Sequence, residues 1–173
     1  MFRKLVVLFF ITLPILSFSN ELTLKDVLAT NSQLVGKAEF RKWFFHVYDA
    51  QLYTQSGKFD WNKPFVLKIH YLIGFKSKTI ANRTISEIAK QRPAAIKQHK
   101  QQYSKTINAV IPDIPKNTNL YGYMDKNGYG YIFSDEKLVG RIDDKQLSKY
   151  FFEIWLSDNT ANHQLSTKLR GLS

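Results

Sequence analysis

Arg41 is a cation set in a run of aromatic and branched residues, Leu34 to Tyr53. A guanidinium buried among such neighbours must be paired, and its planar fork suits a carboxylate or phenolate oxygen. The plainer reading is an edge or surface arginine. Arg83 falls beside the apolar stripe of a candidate helix rather than within it, so it serves either a surface or helix-bridging role or a ligand. Tyr48, Tyr53 and Tyr71 each join an apolar body to a polar tip, which suits a pocket wall; a core tyrosine satisfied by backbone is the alternative. An apolar hollow with one such cation at its rim fits the anionic head of a small amphiphile.

Other chemistries lack their residues. There is no phosphate-binding glycine loop, no G-x-S-x-G elbow and no H-E-x-x-H pair. His46, His70, His99 and His163 are scattered without ligand spacing, so neither a metal site nor a cofactor is expected. The chain has no cysteine, which excludes disulfides, thiolate metal sites and a cysteine nucleophile.

Residues 1 to 19 have the form of a leader: Arg3 and Lys4, an apolar stretch from Leu5 to Leu16, then Ser17-Phe18-Ser19. This predicts a secretory signal peptide cleaved near Ser19, a periplasmic or secreted product, and one domain over residues 20 to 173. A retained membrane anchor is the alternative, but the apolar run is short for a span. Removing Arg3 and Lys4 from the formal +11 leaves +9. That excess favours anionic partners, including a membrane surface, although solvated surface charge also explains it. Export argues against nucleic acid. Oligomeric state is not legible.

The elements that position the candidates follow from periodicity. Leu34 to Tyr53 holds no Gly or Pro after Gly36 and predicts one long strand; its two mixed faces imply cover on both sides or a bulge. Asn20 to Gln33 reads as a short strand or a helical turn. Phe65 to Ile73 alternates as a strand with one buried face. Ser77 caps a predicted helix to about Arg92, and Pro93 opens a second that Pro112 ends. Asp125-Lys126-Asn127-Gly128 between Leu120–Met124 and Tyr129–Phe133 is a hairpin signal, and Lys137 to Ile142 adds a strand. Asp143 or Asp144 caps a helix with Leu147, Tyr150, Phe151, Ile154 and Trp155 on one face. A last helix runs from about Thr160 to Arg170 before Gly171. Segregated strands and helices make an α+β fold, an antiparallel sheet covered by helices. A pocket is expected between the long strand and the helix pair, where Ala81, Ala89, Gly122 and Gly130 leave room. Arg41 or Arg83 would supply its cation.

Several stretches resemble the chalcone isomerase-like family, and more narrowly its secreted bacterial branch. They are Val35-Gly36, Arg41 and Val47-Tyr48-Asp49-Ala50-Gln51-Leu52-Tyr53; Ile80-Ala81-Asn82-Arg83-Thr84 with Glu87; Ile111-Pro112-Asp113; Gly140-Arg141-Ile142-Asp143-Asp144; and Phe151-Phe152-Glu153-Ile154-Trp155-Leu156. The resemblance spans about residues 34 to 171 and implies an open-faced β-sandwich with helices over one face. In plant chalcone isomerases an arginine on the first strand contacts the ligand, and a threonine on that strand assists cyclisation. Trp43, Phe44 and Phe45 occupy the threonine's neighbourhood, which argues against cyclisation and for the fatty-acid-binding role thought to belong to non-catalytic members. An intramolecular lyase or isomerase is the alternative activity, and a basic protein docking on envelope polyanions is the non-enzymatic one.

Overall fold

The computed structural model describes residues 22–172; the predicted leader lies outside them. A short helix α1 (Leu24–Thr30) opens the described chain, and strands β1 (Gln33–Lys42), β2 (Phe45–Thr54) and β3 (Phe65–Tyr71) follow. Helices α2 (Ser77–Gln91) and α3 (Pro93–Val110) come next. The chain then adds β4 (Thr118–Met124), β5 (Gly130–Ser134), β6 (Lys137–Ile142), α4 (Lys145–Leu156) and α5 (His163–Leu169). The six strands form one antiparallel sheet in sequence order. Over the described residues the chain is thus an α+β fold with an open, six-stranded antiparallel sheet and five helices.

The single long strand is corrected. Leu34 to Tyr53 is a tight hairpin that reverses at Trp43 and Phe44, with Lys42 opposite Phe45. No glycine or asparagine marks the turn; Trp43 itself takes the left-handed backbone conformation at φ 59°, one that bulky residues rarely adopt. A bulge also lies in the hairpin: Phe40 pairs with Tyr48 but Arg41 with His46, leaving Val47 as the extra residue. The extra residue lets Phe45 and Tyr48 share the helix side, while His46 and Asp49 meet on the other. Turn and bulge together account for the mixed faces.

The larger core lies between the sheet and the four later helices. Leu52, Phe65, Leu67 and Ile69 meet Ile88, Ile107, Phe152 and Leu156 there. The opposite face is covered in part by α1, whose Leu24 and Val27 pack with Val66 and Phe133. The undecided segment is therefore a helix, capped by the Thr23 hydroxyl, which accepts from Asp26 N at 3.2 Å.

Asp144 caps α4, accepting from Leu147 N at 2.9 Å. Gly128, at φ 86°, closes the β4–β5 turn as its Asn-Gly sequence requires. Ser77 is not a cap. It is the first residue of α2, and the cap comes from Asp113, whose carboxylate accepts from Ser77 N and Lys76 Nζ, both at 2.8 Å. Helix pair and α4 are locked where α2 meets α3. Buried Glu153 accepts two hydrogen bonds from Arg92, Nε at 2.9 Å and Nη2 at 2.7 Å, which supplies the pairing a buried carboxylate needs.

Candidate functional site

Between the hairpin and α2 lies a cavity of about 850 Å³, open on one side to solvent. Its first wall is the aromatic file Phe40, Tyr48, Tyr71 and Phe75. Phe40 stacks on Tyr48 at 4.9 Å, Tyr48 meets Tyr71 at 5.6 Å, and Tyr71 meets Phe75 at 5.8 Å between ring centres. Thr79, Ile80, Arg83, Thr84 and Glu87 of α2 form the second wall. Ile154 and Trp155 of α4, with residues 160–162, close the end. Trp43 and Phe45 stand at the hairpin end of the same cavity.

The polar groups are few and held. Trp155 Nε1 donates to the Tyr48 hydroxyl at 3.1 Å. Burial pushes the Tyr48 hydroxyl well above the ordinary phenol range, outweighing the Trp155 hydrogen bond, which pulls it down. Burial, then the neighbouring Tyr48, pushes Tyr71 up in the same way. Both are therefore neutral hydroxyls, able to donate to an anion, and not phenolates. Arg83 Nη2 lies 2.7 Å from Glu87 Oε1, which also takes Lys90 Nζ at 2.9 Å. Lys42 lines the cavity as well. The charges in the lining are thus two cations and one carboxylate.

The structure brings three of the four sequence-predicted site residues together: Tyr48, Tyr71 and Arg83. Arg41 does not join them. It projects from the opposite side of the hairpin, largely exposed, with Nε 3.2 Å from Glu39 Oε2. There it borders a second hollow of about 790 Å³ beside α5, lined mainly by charged and amide side chains such as Lys37, Glu39, Gln51, Gln164 and Lys168. That lining suits water better than an apolar ligand. Tyr53, the remaining tyrosine candidate, packs with the α1 face and donates to Gln51 at 3.1 Å. Glu39, His46 and Asp49 bring their ligand atoms within 4.8 Å of one another. The imidazole is already hydrogen-bonded to Asp49 at 2.7 Å and Glu39 is paired with Arg41, so these side chains are engaged with one another.

The expected location between hairpin and helix pair holds for α2, whereas α3 contributes nothing to the lining. The proposed thinning of the sheet is corrected. A methyl on Gly122 would meet Phe152 Cε1 at 2.6 Å, and one on Gly130 would meet Ser148 Oγ at 3.2 Å. These glycines accept helix α4 and leave no void. Sequence reasoning missed Lys42, Thr84 and Trp155 as lining residues. Trp155 carried a signal, because it shares the α4 stripe with Phe151, but that stripe reads equally as core.

Comparison with known proteins places this geometry. The chain is 26% identical over 140 residues to an uncharacterized protein of Haemophilus influenzae, covering 80% of this chain and 68% of that one. Among solved structures it is similar to the crystal structure of an Arabidopsis thaliana fatty-acid binding protein. The TM-score is 0.60 at 10% identity, over 80% of this chain and 86% of that chain, a likeness of fold. The pattern of the family described as chalcone isomerase-like matches residues 18–171. With sheet, helices and sequence in agreement over nearly its whole length, this chain belongs to the chalcone isomerase-like family.

Proposed function

We propose that this protein binds a small anionic amphiphile such as a fatty acid, without transforming it, after export from the cytoplasm. The observation that carries the reading is the cavity: about 850 Å³, walled by Phe40, Ile80, Ile154 and aromatic rings, with Arg83 and Lys42 as its cations. Ligand pockets of this kind hold roughly 300–1,000 Å³. The acyl chain lies along the Phe40–Tyr48–Tyr71 wall, and its carboxylate takes hydrogen bonds from Arg83 and a tyrosine hydroxyl. The fatty-acid binding protein that shares the fold supports the ligand class. Native mass spectrometry of protein recovered from its own compartment tests the reading. An acyl species bound in the intact protein is the expected result, and an empty protein that takes up no fatty acid sinks it. The same spectrum tests export, since cleavage near Ser19 gives the mass of a chain starting at Asn20.

A second reading keeps the same residues. Tyr48, Tyr71 and Thr84 hydroxyls lie in one cavity with Arg83, a set that could steady a phenolate and an enolate during intramolecular addition. Loss of chalcone absorbance on incubation with the protein, abolished by Arg83→Ala, would favour an isomerase over a binder.

A further inference from the structure

The hairpin tip is the least protein-like surface of the described chain. Trp43, Phe44 and Phe45 are 87%, 94% and 68% exposed, three consecutive large rings in water. Contiguous apolar exposure of this kind marks a binding surface. A turn position at φ 59° favours glycine or asparagine, yet a tryptophan occupies it. Its ring belongs to neither core cluster.

We propose that this tip docks the protein on an anionic lipid bilayer, with the cavity mouth turned toward the lipid. Tryptophan and its aromatic neighbours prefer the headgroup level of a membrane, where an amphipathic ring is satisfied on both sides. Lys42 immediately precedes the rings, beside an Arg41 that is paired with Glu39, so the same end that carries the apolar surface also carries a cation, on a chain of formal charge +11, or +9 without Arg3 and Lys4. Aromatic insertion with flanking cations is the signature of interfacial binding to anionic lipid. The flanking strands rule out a span: Lys37, Glu39 and Asp49 lie within a few residues of the tip. A second copy of the chain is the alternative occupant, which the experiment below tests through the oligomeric state. Trp43 and Phe45 also line the cavity, so a docked tip sets the ligand's entrance at the membrane. The inference stands without ligand binding, and supplies a route for the ligand if the proposed function holds.

Phe44 separates the two ideas, since it is the most exposed ring of the tip and is absent from the cavity lining. Wild-type protein and Phe44→Ser, both produced from the full coding sequence so that any N-terminal processing is shared, are sedimented with vesicles. One set is phosphatidylcholine alone; the other includes phosphatidylglycerol. The wild type partitions onto the anionic vesicles with a blue shift in tryptophan emission, and Phe44→Ser partitions about ten-fold or more weakly. Fatty-acid uptake in solution is the same for both. Raised salt weakens the binding without abolishing it, because the rings contribute independently of charge. Equal partitioning of the two proteins, no partitioning of the wild type, or a wild-type dimer that Phe44→Ser dissociates would each overturn the proposal.

Discussion

Trp155 and Tyr48 lie 107 residues apart in sequence and share a hydrogen bond of 3.1 Å, indole nitrogen to phenol oxygen, in the lining of the cavity. The bond does two things. It ties α4 to the hairpin, and it fills an acceptor position of the hydroxyl while leaving the hydroxyl's own proton for another oxygen. Tyr48→Phe removes both functions. Fatty-acid affinity should fall up to about ten-fold, with a stability loss of about 1 kcal/mol from the orphaned indole N–H. Ligand titration and urea unfolding of the same preparation read the two effects separately. Unchanged affinity would place the ligand's head elsewhere.

The Arg92–Glu153 pair is structural, and its disruption should leave ligand binding alone. Arg92→Ala strands the buried Glu153 carboxylate where α2 meets α3, at a cost of about 2–3 kcal/mol. Chemical denaturation measures the loss. A variant of wild-type stability would mean that water replaces the guanidinium without penalty.

Gly36 should tolerate no side chain. A methyl there would stand 2.1 Å from Lys168 O and 2.7 Å from Leu169 O, backbone atoms at the end of α5 that cannot swing aside. Gly36→Ala is expected to cost about 2 kcal/mol or more through displacement of α5 from β1. An unfolding midpoint equal to the wild type's would show that α5 is not seated on this strand.

The buried tyrosines predict an alkaline limit. A phenol whose pKa rises on folding keeps its proton in the native chain after the unfolded chain has lost it. Below the ordinary value of about 10 both states are protonated and stability is unaffected. Above it the unfolded state sheds protons first, so stability falls as pH climbs toward the raised native values. An ultraviolet titration of the nine tyrosines should therefore be biphasic. The later phase belongs to Tyr48, Tyr71 and the buried Tyr103, which ionise only as the protein unfolds. A single reversible step with the fold intact would contradict their burial.

What the sequence disclosed depended on how locally each feature is determined. Asp125-Lys126-Asn127-Gly128 and Asp144 could be read because turn and cap are made by neighbouring residues. The α4 stripe could be read because its partner is a whole sheet face. The Trp43 turn was hidden: its residues have no turn preference, and its conformation is imposed by the pairing of β1 with β2 on either side. The cap of α2 was hidden because Asp113 reaches it from 36 residues away. For the candidate site, Tyr48 and Tyr71 were legible as polar tips among apolar neighbours, and Arg83 as a cation beside a helical apolar stripe. Arg41 looked alike in sequence, but Glu39 and the far side of the hairpin claim it. Gly122 and Gly130 suggested space, and the space is filled by Phe152 and Ser148, which no local pattern reveals.

The central claim is that the apolar cavity takes an anionic amphiphile through Arg83. Titration of delipidated protein with palmitate, comparing wild type, Arg83→Ala and Arg41→Ala, tests it most directly. Saturable binding is predicted, weakened about ten-fold or more by Arg83→Ala and unaltered by Arg41→Ala, with both variants as stable as the wild type within about 0.5 kcal/mol. The account is contradicted if palmitate does not bind saturably, or if Arg41→Ala abolishes binding while Arg83→Ala leaves it intact.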